Sequence, residues 1–473
     1  MTAAGLIVPF ESGCLEFRPE SRVLPSRIAL PKPFEIPLPV PAVLKSDEAD
    51  RYDVTVRESQ IQILPGVKTA IWGYNGTFPG PTIEAQSNRP VSLRLRNALP
   101  VPIVNHLHGG HTPSESDGYP TDFVVPNSER EYIYPNKQRA ATLWYHDHRM
   151  DFTGPQVWRG LAGFYIIRDE AEAGLPLPRG EKEIPLLICD RSFDGDGSFL
   201  YPALKTGGVQ SQYMGGVLGE VILVNGAPWP NLEVSNAKYR FRILNASNAR
   251  RYELALDPPG AASSFIQIGS DGGLLAAPIP HRTIRIAPAE RFDAVIDFSQ
   301  FRAGSTITLI NRAAAGTPAG QIMRFHVTRS ERDESQIPAV LATDVPEPDR
   351  RAATVTRTFN FSYRRGMKSW NINGKPFDPA RMDATPKLGA AEIWQLQTDF
   401  SHPLHIHLGH FRVLSHSGRP GPYDAGWKDT IDLGPGQTAN ILMKFSDYRG
   451  RYVFHCHNLE HEDMAMMGNF EVV

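Results

Sequence analysis

The sequence predicts an all-β protein built from three similar β-sandwich domains. Three observations carry that expectation. Gly (40) and Pro (41) make up about 17% of the 473 residues, against roughly 12% in average proteins. Such dense punctuation suits short strands and turns better than long helices. One pattern recurs three times, its Asn-Gly pairs 150 and 148 residues apart, and a fixed period is the mark of repeated units. Each recurrence also closes on a stretch that reads as a final strand.

Taken in chain order, residues 1–44 carry many prolines and read as an extended arm. The first domain, 45–170, holds Asn75-Gly76, then Pro79-Gly80-Pro81, Glu84 and the alternating run Val91–Asn97. Asn-Gly is the strongest short hairpin signal, and the alternation is that of a half-buried strand. Val91, Leu93 and Leu95 are expected inward, Arg94 and Arg96 outward, and Gly163–Ile167 closes the unit. The second domain, 175–345, repeats this with Asn225-Gly226, Pro228, Pro230, Glu233 and Tyr239–Asn245. There Tyr239, Phe241 and Ile243 are expected inward against outward Arg240 and Arg242. Lys205–Gly216 is Gly-rich and reads as a mobile surface loop. Gln321–Val327 is the closing strand, and Ser330–Arg351, polar and acidic, reads as a linker. The third domain, 355–473, has Asn373-Gly374, Pro376, Glu392–Leu396 and the closing Gly468–Val473.

Composition narrows the function classes. Lys plus Arg is 49 and Asp plus Glu is 51, a formal charge of −2. That balance, with no block of like charge, argues against a nucleic-acid partner. No run of eighteen apolar residues predicts a membrane span. Met1–Phe17 lacks a basic start, so no conventional secretory signal is expected. The default expectation is a cytoplasmic protein, with a spore coat or another non-classical export route as the alternative. Three cysteines, Cys14, Cys189 and Cys456, rule out a disulfide framework but leave one Cys14–Cys189 bridge open.

Histidine placement carries the chemistry. Eight of the 15 histidines form four His-x-His pairs: His106/His108, His146/His148, His405/His407 and His455/His457. On a strand, residues i and i+2 share a face, so each pair can aim two imidazoles at one centre. Imidazole suits copper, zinc, iron and nickel. Two pairs lie in the first repeat and two in the third, at corresponding points; the second repeat reads Asn245-Ala-Ser-Asn248 instead. The outer domains could therefore clamp a metal cluster, with the middle one a metal-free spacer. His281 and His326 read as structural. Cys456 sits between His455 and His457 and would face the opposite way. With His461 five residues on, Met466 ten residues on and His402 upstream, it matches two His, one thiolate and a weak Met, the donor set of a blue-copper site. Met464 and Met467 are rivals of Met466.

The segments Asn105-His-Leu-His-Gly109, Trp144-Tyr-His-Asp-His148, His402-Pro-Leu-His-Ile-His407 and His455-Cys-His-Asn-Leu-Glu-His461 resemble the four copper motifs of multicopper oxidases, over nearly the whole chain. Ser114–Pro120, Trp427-Lys-Asp-Thr430 and His461-Glu-Asp463 resemble in particular the bacterial spore-coat laccase branch, near bilirubin oxidases and phenoxazinone synthase. The resemblance implies three cupredoxin-like Greek-key β-sandwich domains and four copper ions. It implies a type 1 copper on His402, Cys456, His461 and Met466, and a type 2 copper on His106 and His405. The type 3 pair would sit on His108, His146, His148, His407, His455 and His457. Two departures stand out. Asn458 follows the His-Cys-His where an aliphatic residue is common, and Met-rich segments are absent.

The resulting expectation is a laccase-like oxidase. It would take single electrons from phenols or aromatic amines at the type 1 copper and pass four to O2, making water. The small aromatic reductant would bind beside an exposed His461. Asp117 and Glu462 are the expected proton relay, since the matching acids of the family lie near the cluster. A dedicated biosynthetic oxidase for one aromatic metabolite is an alternative, followed by a bilirubin or metal-ion oxidase. A copper-free scaffold or binding protein is the non-enzyme reading, and the complete ligand set counts against it. Sequence alone leaves the oligomeric state open.

Overall fold

The structure, a computed structural model, describes residues 20–473 apart from 48, 210, 261–263 and 365–368, together with the side chain of 211. Cys14, and with it the pairing to Cys189, lies outside the described residues. Strands dominate; the α-helices are short, at Ser114–Asp117, Thr153–Arg159, Glu170–Ala173 and Leu459–Asp463. No helix among the described residues is long and apolar enough to cross a membrane.

Three cupredoxin-like β-sandwiches follow one another, and the repeat seen in the sequence is a repeat of strand pairing. In each, the opening strand runs parallel to a strand that lies beyond the Asn-Gly turn. Arg51–Ile61 pairs with Val91–Asn97, Glu183–Phe193 with Lys238–Asn245, and Ala353–Arg364 with Ala391–Thr398. In each, the closing strand pairs antiparallel with a late strand: Ala162–Arg168 with Ala141–Asp147, Gln321–Arg329 with Thr306–Asn311, and Met467–Val472 with Gly450–Cys456. All three Asn-Gly turns have φ positive at both residues, 54° and 70°, 51° and 84°, 51° and 74°, which is what a type I′ turn needs. The second and third close two-residue hairpins.

The described part of the arm lies along the second sandwich and ends in the first. Arg22–Leu24 pairs with Val217–Gly219, and Val43–Leu44 joins the sheet of Gly80–Gln86. In the first sandwich Val91, Leu93 and Leu95 are buried while Arg94 and Arg96 are exposed, as the alternation requires. The matching strand of the second behaves differently. Tyr239, Phe241 and Ile243 are buried, but so are Arg240 and Arg242, each 2% exposed or less. The face away from the sandwich core packs on the first sandwich, not on water. Arg240 binds Asp293 and Glu172, while Arg242 donates to Glu183 at 2.5 Å and to Thr142 at 2.8 Å. A buried charge persists only when it is paired and hydrogen-bonded, and this network does both.

Candidate metal centre

Strand register brings the histidine pairs together. Asn105–His108 lies antiparallel to Ala141–Asp147 with His106 opposite His146, and His402–Ile406 lies antiparallel to Gly450–Cys456 with His405 opposite His455 and Leu404 opposite Cys456. The two pairs of strands face each other across the seam between the first and third sandwiches. Ring nitrogens of His148, His407 and His455 converge there, as do those of His106, His405 and His407 and those of His106, His108 and His146. His455 Nε2 is 3.1 Å from His148 Nε2 and 3.3 Å from His407 Nε2.

The outer shell sets which nitrogen faces inward. His106 Nδ1 donates to the Asp117 carbonyl at 2.6 Å, His146 Nδ1 to the Asp147 carbonyl at 2.8 Å and His405 Nδ1 to the Asp429 carbonyl at 2.9 Å. Their Nε2 atoms are left buried with no hydrogen-bond partner. His108 is turned round: its Nε2 meets Asp429 Oδ1 at 3.0 Å, and its Nδ1 is the unpartnered atom. Buried polar atoms are rarely left unpaired, and anchoring the far nitrogen is how a metal-binding histidine is oriented. Burial, the largest cause throughout, pushes the pKa of His106, His108, His146, His407 and His457 well down, and that of His148 to about 4 although neighbouring Glu462 raises it. The rings are neutral and their lone pairs are free to ligate. These residues fit a copper cluster.

The second centre lies one residue along the chain. Cys456 Sγ is 3.4 Å from His402 Nδ1 and 3.6 Å from His461 Nδ1, and the two Nδ1 atoms are 3.1 Å apart. All three side chains are buried. Burial pushes the Cys456 thiol up, so a metal ion must displace its proton. Met466 is fully buried in the same core as Cys456, while Met467 packs against Tyr119 in another and Met464 is only partly buried. The Met466 carbonyl accepts from the Cys456 N–H at 3.1 Å. Asn458 gives its backbone N–H to Cys456 Sγ at 3.4 Å, and its side chain turns away to the Gly215 carbonyl at 3.0 Å.

Both acids singled out in the sequence touch the cluster. Asp117 Oδ2 accepts from His407 Nδ1 at 2.7 Å, and burial pushes its carboxyl well up. Glu462 Oε2 is 3.2 Å from His455 Nδ1 and Oε1 is 3.4 Å from His148 Nδ1. Burial opposes its charge, but His148 and His455 hold its pKa well down. Thr153 Oγ1 donates to Glu462 at 2.7 Å, and Asp463 accepts the Thr153 and Gly154 amides at 2.8 and 2.9 Å.

Two expectations are corrected. His461 is not exposed: only 2% of it reaches solvent, because Trp370 stacks on its ring and the Met214 and Gly215 carbonyls lie against it. Nor is Lys205–Gly216 a surface loop throughout. Lys205–Gly207 is exposed, but Met214–Gly216 is buried against His461. Sequence reasoning missed the role of Asp429. It lay in the Trp427-Lys-Asp-Thr430 motif, and in the fold it joins His108 to Arg291. Trp370 and Thr153 carried no sequence signal.

Comparison with known proteins agrees with this geometry. Sequence patterns of the multicopper oxidase family match residues 55–172 and 347–473. The chain is 41% identical to a laccase of Bacillus subtilis (strain 168), over 92% of this chain and 97% of that one. It is 35% identical to a bilirubin oxidase of Albifimbria verrucaria, over 99% and 88%. The crystal structure of a laccase from Pediococcus acidilactici Pa5930 superposes with a TM-score of 0.84 at 32% identity, covering 95% of this chain and 96% of that one.

Proposed function

The chain belongs to the multicopper oxidase family, a laccase-like member that couples oxidation of a reducing substrate to reduction of O2, and we propose that its reductants are phenols or aromatic amines. The observation that carries this reading is the adjacency of the two centres. Cys456 lies in the one-thiolate triad, and its chain neighbour His455 lies in a histidine triad.

We assign the type 1 copper to His402, Cys456, His461 and Met466, the type 2 copper to His106 and His405, and the type 3 pair to His108, His146, His148, His407, His455 and His457. Bound there, copper supplies one-electron redox chemistry at the first site and four-electron reduction of O2 to water at the cluster. The residues do the rest. The two His, one thiolate and weak Met donor set suits electron transfer. The backbone from Cys456 to His455 and His457 links the sites through a few covalent bonds. Asp117 and Glu462 hold ligand histidines in place and, being buried carboxyls beside the cluster, are our choice for handing on protons. The division into 45–170, 175–345 and 355–473 stands as our reading, with the middle unit as a ligand-free spacer. The cytoplasm is our proposed compartment, a spore coat or another export route the alternative, and cell fractionation decides between them.

Oxygen uptake over a panel of phenols, o-aminophenols, bilirubin and Cu(I) tests the substrate class. Fast turnover of simple phenols and aromatic amines is expected. Turnover confined to one o-aminophenol would replace this reading with a dedicated biosynthetic oxidase, and turnover confined to bilirubin or Cu(I) would overturn it.

A further inference from the structure

We propose that Trp370 is the relay through which the reducing electron reaches the one-cysteine site; the inference rests on the type 1 assignment of His402, Cys456 and His461. Trp370 is fully buried. Its ring stacks on His461 with centroids 3.7 Å apart and 29° between planes, and it meets His402 edge-on at 5.4 Å. It therefore touches both histidines of the triad. It also meets Tyr363 at 4.9 Å and Phe400 at 5.9 Å. Tyr363 is its cross-strand partner, and Phe400 is half-buried beside exposed Asp399. A continuous aromatic column thus runs from near the surface to the ligand rings.

The direct approach to His461 is closed and pinned. The carbonyl of Met214 accepts from Trp370 Nε1 at 3.1 Å, that of Gly215 from Asn458 Nδ2 at 3.0 Å and Ser21 Oγ at 2.6 Å, and that of Gly216 from the Arg22 amide at 2.9 Å. Four hydrogen bonds from three other parts of the chain hold this turn down. The unusual Asn458 acquires a purpose here, since an aliphatic residue in its place would remove one of the two hydrogen bonds on the Gly215 carbonyl. A polar contact also links the ligand set to an exposed residue: Asp399 Oδ1 lies 3.4 Å from His402 Nε2.

The proposed site for the reductant is accordingly at half-buried Phe400, the more exposed of the two rings that meet Trp370, with Tyr363 buried. The ligand class is an aromatic reductant, including one too bulky to enter a pocket. Per event, the reductant loses one electron and, if a phenol, its hydroxyl proton to water. Copper held by His402, Cys456 and His461 would take up that electron as the one-electron acceptor, and Trp370 would end unchanged. Its Nε1–H faces a carbonyl that cannot take a proton, which suits a residue that passes electrons alone.

The test uses the copper-loaded protein and its Trp370→Phe and Trp370→Tyr variants. Anaerobic bleaching of the blue band by a phenol is followed by stopped flow, and the type 1 potential is measured alongside. Bleaching about tenfold slower in Trp370→Phe, at unchanged potential, with recovery in Trp370→Tyr, is expected. Unchanged bleaching in Trp370→Phe, or slowing that Trp370→Tyr does not recover, overturns the proposal. Copper added to the copper-free protein should also quench tryptophan emission, and less so in Trp370→Phe; equal quenching counts against the stacking. Should the variants fail to fold, the unmodified protein decides. A phenol tethered to dextran should bleach it nearly as fast as free phenol, and failure of the tethered phenol alone overturns the relay. Absence of any blue band in the loaded parent would instead refute the type 1 assignment beneath it.

Discussion

Replacing Asp429 by Asn removes one charge from the point where the outer shell of the cluster meets the second sandwich. Asp429 Oδ1 is 3.0 Å from His108 Nε2, 2.8 Å from Arg291 Nη1 and 2.9 Å from Thr430 Oγ1, and its other oxygen holds Arg291 Nη2. Arg291 and Asp429 are both buried. Removing one partner of a buried ion pair costs about 3–5 kcal/mol. Asp271 Oδ1, 3.6 Å from Arg291 Nη1, stays behind as a second partner, so the lower end, about 3 kcal/mol, is expected. A second effect adds to it. His108 loses a charged acceptor on Nε2, and losing an outer-shell partner typically weakens metal affinity 10–100-fold. Urea unfolding of the copper-free protein reads the first term, and copper retention against a competing chelator reads the second. The variant should be less stable without copper and should also lose copper sooner. Parent-like stability and parent-like retention together would refute the role given to Asp429.

Three further outcomes follow from the same contacts. Arg242, Arg240 and Arg168 overcome the effect of burial and hold the Glu183 carboxyl at about 2, below its ordinary 4.5. Its contribution is therefore present above pH 4.5 and lost as pH falls toward 2, about 3 kcal/mol in all. The gap in urea midpoint between the parent and Glu183→Gln should narrow by about half from pH 7 to pH 3, and a constant gap would contradict the pairing. Met466→Leu should keep its copper but raise the type 1 potential in a redox titration, since the axial ligand tunes that potential. No shift would point to Met464 instead. Thr153→Val removes the 2.7 Å hydrogen bond to Glu462 and should slow reoxidation of the reduced protein by O2 while the blue band is kept; unchanged reoxidation would detach Thr153 from the cluster.

What could be read from the sequence was local or periodic. An Asn-Gly pair dictates its turn wherever it stands, and all three take it up. The His-x-His spacing on a strand likewise fixes two rings on one face without knowledge of the rest of the fold. Cys456 between two histidines had to face the other way, and it does. What could not be read depended on what covers a surface. Alternation separated Tyr239, Phe241 and Ile243 from Arg240 and Arg242, but it does not say whether the second face meets water or another sandwich. His461 looked open because nothing near it in sequence closes it; Trp370 and Met214 come from far along the chain. Asp429 was visible within a motif, yet its contact with His108 spans 321 residues. Asn458 stood out as a departure from the family, and only the fold shows its side chain turned away from the thiolate to hold Gly215.

The account turns on Cys456 as the one thiolate through which substrate electrons pass. Copper content, visible absorbance and phenol-driven oxygen uptake of Cys456→Ser, measured beside the parent, test it most directly. The parent should bind four coppers and be blue. The variant should lose the blue band and phenol oxidation together while keeping copper on the histidine cluster. A colourless variant that still oxidised phenols would contradict the account.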